Sequence, residues 1–167
     1  AMTAQILDNA ATLEIPDDID AINRLYRERR WSDGLPIVPP TAARVDRMLA
    51  HSRRGRHELV ARVAPGFGAA TVERIAINAV MAGCDPEYLP VLIAATEAVA
   101  EADFNLQGIQ ATTNPVAVWL VLNGPISKQL QVNATFNCIG QGNWANATLG
   151  RAMRLILQNI GGAWPGE

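Results

Sequence analysis

The C-terminal part of this sequence is almost free of charge. Residues 104–166 include no acidic side chain and only three basic ones, whereas residues 1–103 carry fifteen acidic and eleven basic side chains. A solvated surface usually mixes charges and keeps its apolar patches small. We therefore expect residues 104–166 to be largely buried, either in a well-covered core of this chain or against a second protein chain. The three basic residues are Lys128, Arg151 and Arg154.

Other shortages exclude several classes of function. No apolar run approaches the roughly 20 residues that span a bilayer, and the N-terminus lacks the basic and apolar regions of a signal peptide. Two cysteines are too few for a disulfide framework, so we expect a cytoplasmic protein with reduced thiols. A net charge of −2 does not favour nucleic acid or an anionic membrane as partner. Both histidines lie in an arginine-rich loop, residues 51–62, which is typical of a solvated surface rather than a metal site.

Hydrophobic periodicity predicts that most of the chain is helical. After an N-terminal arm, residues 1–15, helices are expected over residues 16–30 and from Thr41. The next helix is expected over residues 71–82, with Thr71 as N-cap and Gly83 as the left-handed closing residue. A helix over residues 85–102 is apolar nearly all round and is expected to be buried centrally. A last long helix follows the glycine-rich turn at residues 140–142.

Strands are expected in three places, of which one is the end of a strand just before the glycine-rich turn. Residues 58–64 alternate between apolar and polar side chains, which is typical of a half-buried strand. Residues 106–122 hold two strand candidates around a turn at residues 112–115, and residues 116–122 are so uniformly apolar that we expect a strand covered on both faces. The sequence therefore predicts a helix-rich α+β domain over residues 16–167 with a short, largely buried sheet.

Residues 133–162 concentrate asparagines and glycines in an apolar setting. Buried amides need hydrogen-bond partners, so this density indicates a prepared polar site. Glycines before a helix N-terminus let backbone N–H groups face an anion or a carbonyl oxygen. The turn only partly matches the dinucleotide fingerprint, because no acidic residue follows at the distance that would bind ribose. Asparagine is also a favoured capping and turn residue, which is the competing interpretation. The candidate substrate-binding residues here are Asn137, Gly140, Gly142, Asn143, Trp144 and Asn146.

Five further residues are candidates for the same site. The rigid, proline-rich loop at residues 31–40 presents Trp31 and Asp33, either as a site wall or as a structural brace. Asn78 lies within an apolar helix and needs a partner, which is a neighbouring turn or a ligand. Cys84 precedes a helix N-terminus, where the dipole favours a thiolate, but Asp85 and Glu87 act against it and packing is the more common role of a small buried cysteine. Cys138 is a weaker candidate, and the two cysteines form a redox pair only if the fold joins them.

Three motifs resemble one bacterial protein family. They are WSDGLPIVPPT at residues 31–41, IAINAVMAGC with PEYLP at residues 75–90, and NATLGR with NIGG at residues 146–162. Together they resemble the N-terminal part of a poorly characterised group, some of whose members are UGSC-type (seleno)proteins. The resemblance covers nearly the whole chain and implies no established catalytic residue.

Family members continue beyond the Gly-Gly closure, and the selenocysteine or Cys-Gly-Ser-Cys motif behind the family name is absent here. We therefore expect a split enzyme, in which this chain is one subunit of a hetero-oligomer and a second protein subunit supplies the remainder. That absence also puts in doubt any redox activity carried by this chain alone.

The combined interpretation is one subunit of a heteromeric cytoplasmic enzyme acting on a small polar or anionic substrate. Cys84 and Arg151 are the predicted catalytic residues, and thiol-dependent reduction, lyase chemistry and hydration are all left open. No cofactor is identified, and the spacing of possible ligands predicts no metal site. The alternative is a non-catalytic structural or binding subunit whose asparagines only brace turns.

Overall fold

The structure, a computed structural model, describes residues 12–166. Within that range seven α-helices and a two-stranded sheet form, which confirms the predicted helix-rich α+β class. Most of the predicted N-terminal arm, residues 1–15, lies outside the described residues. The helices are α1 (Ile19–Glu28), α2 (Ala42–Leu49), α3 (Val72–Ala82), α4 (Leu89–Ala100), α5 (Leu106–Ala111), α6 (Pro125–Gln129) and α7 (Trp144–Asn159).

Helix α3 begins and ends where its sequence predicts. The Thr71 hydroxyl accepts a hydrogen bond from the Arg74 N–H at 3.3 Å and so satisfies one of the free donors of the first turn. Gly83 closes the helix with φ +86°, a backbone conformation that a residue without a Cβ adopts at no steric cost. Nine of the eleven helical residues are buried. Helix α3 is therefore a core element rather than a surface helix.

The centre of the core is the contact between α3 and α7. Helix α7 buries side chains on most of its circumference, and Leu155 and Ile156 have no exposed surface. Each fully buried side chain of this size contributes about 1.5–3 kcal/mol by leaving water. Helix α4 packs beside them but keeps Ala94, Glu97 and Ala98 exposed, so the prediction of a centrally buried α4 is wrong.

The sheet is an antiparallel hairpin of β1 (Leu59–Val63) and β2 (Gly68–Thr71). Strand β1 confirms the strand predicted there, whereas β2 was not expected because Gly-Ala-Ala-Thr has little intrinsic preference for strand. The hairpin turn packs backbone against backbone on the end of α7, where the Gly66 N–H donates to the Gly161 oxygen at 2.8 Å. A Cβ at Gly68 would overlap the Ile160 carbonyl oxygen. This close approach explains why glycine occupies the position.

The strands predicted within residues 106–122 are wrong. Residues 106–111 form α5, whose Asn105 cap accepts from the Gly108 N–H. Residues 115–123 are neither helix nor strand, and the strand end predicted before the glycine-rich turn is a series of turns at residues 135–142. The sheet thus consists of β1 and β2, in which β2 is buried and β1 is half exposed, and residues 116–122 do not belong to it.

Candidate functional site

Arg151 of α7 and Asp33 of the proline-rich loop form a two-pronged ion pair. The Arg151 Nε and Nη2 atoms each lie 2.9 Å from one carboxylate oxygen of Asp33. Nη2 also donates to the backbone oxygens of Leu35 at 3.3 Å and Pro36 at 2.8 Å. The structure therefore joins two predicted site residues that are far apart in sequence, and it uses the guanidinium to hold the loop on α7.

The charge state of Asp33 follows from this pairing. Partial burial acts to raise the pKa of its carboxyl group, but the hydrogen bonds and charge of Arg151 and the Leu35 N–H outweigh burial, so the pKa is lowered. The side chains of Asp33 and Arg151 are 12% and 19% exposed. Asp33 is consequently an ionised, fully partnered anion at neutral pH, which suits a structural tie better than a general acid or base.

Two amides further along α7 hold the same loop. Gln158 Nε2 donates to the Ser32 oxygen at 3.1 Å, and Asn159 Nδ2 donates to the Trp31 oxygen at 2.9 Å. Asn159 Nδ2 also donates to Asn78 Oδ1 at 2.8 Å. The Asn78 amide in turn donates to the Arg74 oxygen at 2.9 Å. Asn78 is thus satisfied by the backbone of its own helix and by Asn159 at the end of α7, rather than by a turn. Trp31 takes part through its backbone oxygen.

Cys84 is buried at the start of the segment between α3 and α4. Its thiol donates to the Thr148 backbone oxygen of α7 at 3.3 Å. Burial raises the pKa of Cys84 to about 12, so the group is a neutral thiol at pH 7. The expectation of an activated thiolate here is wrong, because burial is the largest influence on the pKa of Cys84 and favours the neutral thiol. A catalytic role for Cys84 stays a prediction, and its surroundings are those of a packing residue.

Asn146 organises the glycine-rich turn from the first turn of α7. Its Nδ2 donates to the Asn133 and Cys138 oxygens at 2.9 and 2.8 Å, and its Oδ1 accepts from the Asn133 N–H at 2.9 Å. Asn143 is the N-cap of α7, since its Oδ1 accepts from the Asn146 N–H at 3.0 Å. The side-chain oxygen of Asn143 thus bonds to its own helix, and the Asn146 amide bonds to backbone groups of residues 133–138.

Asn137, Gly140 and Gly142 complete this turn. Asn137 has φ +59° and donates through Nδ2 to the Gln141 oxygen at 2.7 Å. A Cβ at Gly140 would overlap Asn137 Oδ1, so the small residue makes room for that amide. Gly142 has φ +99°. The interpretation of these residues as turn-forming residues therefore accounts for every contact that the structure gives them.

The predicted site residues fall into two groups around α7. One group lies on the side of α7 that holds the Arg151–Asp33 pair and the Trp31 backbone. The Trp144 ring is on this side too, close to Gly83, which precedes Cys84. The glycine-rich turn meets α7 at Asn146, which is nearly opposite Arg151 and Trp144 on a helix of 3.6 residues per turn. The structure therefore does not bring all the predicted residues into one pocket.

The feature that sequence patterns did not identify is a set of exposed apolar side chains on two loops, residues 112–123 and 133–142. We call these side chains the apolar surface: Val116 (50% exposed), Trp119 (76%), Val121 (72%), Phe136 (96%) and Ile139 (82%). The first loop lies along α7 at Gly150, Met153 and Leu157, and the second is tied to Asn146. These α7 residues share one face, so the two loops are neighbours. The lack of charge in residues 104–166 had predicted burial, in the core or against a second chain, but it did not indicate which side chains the single chain leaves exposed.

Two shallow depressions have volumes of about 190 and 140 Å³. The first lies between the hairpin turn and the start of α5, and the second lies between residues 116–118 and α7. Neither is lined by a predicted site residue. Among residues 12–166, no three histidine, cysteine or acidic side chains are placed to share a metal ion.

Comparison of the chain with protein-family models, curated proteins and solved structures found no match. The resemblance to the UGSC-type group therefore stays a prediction. Over the described residues, the longest and most apolar helices still fall short of what a membrane span requires.

Proposed function

We propose that this chain is a binding subunit of a protein assembly, which docks onto another protein chain through its apolar surface. The observation that carries the proposal is the exposure of Trp119, Val121, Phe136 and Ile139 within a part of the sequence that holds almost no charge. Large apolar side chains that stay exposed in this number on neighbouring loops typically mark a protein interface.

The polar candidates support a binding role over a catalytic one. Asp33 and Arg151 neutralise each other, Asn146 bonds to three backbone groups, and Cys84 is a buried thiol with a pKa of about 12. Groups that are already satisfied in this way have little capacity left for a substrate. In this proposal the asparagines brace the turns that present the apolar surface.

A stoichiometry measurement on the assembly tests this function. The chain is purified gently from the cells that make it, and native mass spectrometry gives the number and masses of the chains that travel together. The double variant Phe136→Ser/Ile139→Ser removes two exposed anchors, so it is expected to be recovered as a single chain. Phe67→Ser is the matched control, since Phe67 is also exposed (50%) but lies on the hairpin turn.

Two results would contradict the proposal. One is a wild-type chain that is recovered alone at every concentration. The other is a double variant that assembles as well as the wild type and the Phe67→Ser control. The catalytic alternative has its own readout, because activity of the assembly that is lost in Cys84→Ala with assembly intact would place chemistry in this chain.

A further inference from the structure

We propose that residues 117–122 pair as an antiparallel β-strand with the same segment of a second copy of this chain. The inference rests on the proposed binding function and deepens it, because it names the occupant of part of the apolar surface and the backbone contact that holds it. Four observations support it: the course of the backbone, its missing hydrogen bonds, its composition and its lack of charge.

The segment already has the form of a strand. Residues 115–123 run without a turn or bend, between the bends at Asn114 and Gly124. From Val118 to Leu122, half-buried and exposed side chains alternate strictly, as they do on the two faces of a strand. Val118 and Leu120 pack against the core, while Trp119 and Val121 face outward.

The backbone of this segment has no partner within the described chain. Within residues 12–166, no N–H or C=O group of residues 117–123 makes a hydrogen bond to backbone or side chain. The nearest bonds are from the Val116 N–H to the Asn114 oxygen and from the Ser127 N–H to the Gly124 oxygen. A row of unpaired donors and acceptors along an extended chain is the surface onto which a further strand adds.

The sequence of the segment favours strand pairing and has none of the usual protection against it. Val-Ala-Val-Trp-Leu-Val-Leu, residues 116–122, is rich in β-branched and aromatic side chains. Natural proteins protect exposed strand edges with lysine, proline or a bulge. Here the prolines flank the segment at positions 115 and 125 and no charge occurs within residues 104–127. Residues 116–122 are therefore an edge left open for pairing.

A second copy is the occupant that this edge fits. An antiparallel pair of identical segments is related by a two-fold axis, so each copy presents the same unpaired groups and apolar side chains to the other. Because the segment is uncharged, its self-pairing brings no like charges together. Such pairing places the exposed Trp119 and Val121 of each copy beside apolar side chains of the other copy, where cross-strand contacts stabilise the pair.

The test separates backbone pairing from side-chain contact in the purified full-length chain. Sedimentation velocity from 1 to 100 μM is expected to show a dimer of about twice the 18.0 kDa chain mass. The variants Val121→Pro and Leu122→Pro each remove one N–H, and adjacent N–H groups of a strand point to opposite edges. One of these variants is expected to weaken dimerisation at least tenfold. Val121→Thr keeps the N–H and the β-branched shape and is the control that stays dimeric.

Hydrogen exchange supplies a second readout on the same samples. The amides of residues 117–122 are expected to be protected at concentrations where the dimer forms and to exchange freely on dilution to monomer. Unchanged circular dichroism shows that each proline variant is folded, because the monomer has no ladder bond there to lose.

Three results would overturn the inference. They are a wild-type chain that is monomeric at 100 μM, a dimer that both proline variants preserve, and growth into open-ended β-assemblies. A monomeric chain that still joins a different protein in a manner abolished by Phe136→Ser/Ile139→Ser would overturn this inference and leave the proposed function standing.

Discussion

The ion pair between Asp33 and Arg151 makes a quantitative prediction about stability. Arg151→Met removes two charge-assisted hydrogen bonds and the donors to the Leu35 and Pro36 oxygens, and it leaves a 12% exposed carboxylate without a cation. Breaking a largely buried pair of this kind is expected to lower the free energy of unfolding by about 3 kcal/mol. Asp33→Asn keeps the shape of the side chain and loses its charge, and it is expected to lower the free energy of unfolding by about 2 kcal/mol.

A double-mutant cycle isolates the pair. Urea unfolding is measured for the wild type, both single variants and the double variant. We expect a coupling free energy of about 2 kcal/mol, because the second substitution lowers stability little once the first has broken the ion pair. Arg154→Met is the matched control one turn further along α7, where a single hydrogen bond of 3.4 Å to the Ala163 oxygen is lost. Coupling below about 0.5 kcal/mol would refute the assignment of the pair as the tie between loop and helix.

The same pair predicts the sign of an acid effect. Because the folded-state pKa of Asp33 is lowered from its ordinary value, the folded protein binds fewer protons there than the unfolded chain does. The contribution of the ionised Asp33 to the free energy of unfolding is complete above the unfolded-state pKa of about 3.9. That contribution is lost as the pH falls through the lower folded-state pKa. The stability advantage of wild type over Asp33→Asn should therefore shrink below about pH 4. An advantage that is constant from pH 7 to pH 2.5 would contradict the pairing.

Three further predictions concern single positions. Gly68→Ala is expected to lower the free energy of unfolding by at least about 2 kcal/mol, because the new Cβ would overlap the backbone at the end of α7. Gly150→Ala is expected to raise it by about 1 kcal/mol, because its Cβ would meet open space within a helix. Thermal unfolding measures both. Cys84 should react with iodoacetamide at pH 7 at least about 100-fold more slowly than the half-buried Cys138, and peptide mass spectrometry that shows equal rates would contradict the neutral buried thiol. Asn146→Ala is expected to lower the free energy of unfolding by about 2–3 kcal/mol and to speed hydrogen exchange in residues 133–138. Unchanged exchange there would exclude Asn146 as the residue that organises the turn.

Capping residues in the sequence correctly predicted where helices begin and end. Thr71 and Gly83 placed α3 to within a residue, and the cap at Asn143 fits the long helix expected after the glycine-rich turn. The failure at residues 116–122 has a specific cause. Composition correctly indicated an extended apolar chain, but a strand also requires a hydrogen-bonded neighbour, and local sequence does not contain that information.

The candidate site shows the same limit. Asn78 and Asn146 were correctly expected to need partners, but the partners are Asn159, Arg74 and turn backbone, which only the fold brings near. The pairing of Asp33 with Arg151 joins residues at opposite ends of the chain, so no spacing rule identifies it. Charge distribution predicted burial for the C-terminal part, whereas the chain alone leaves several of its apolar side chains exposed.

The packing of α3 on α7 has a consequence for synthesis of the protein. Helix α3 ends at Ala82 and α7 begins at Trp144, so α3 leaves the ribosome well before its main packing surface exists. At about 5–20 residues per second, that interval lasts on the order of 3–12 s. During it, α3 presents a face that includes Ile75, Ala76 and Ala79 and is buried in the finished protein. Nascent α3 is therefore a segment that a chaperone would protect until α7 is made.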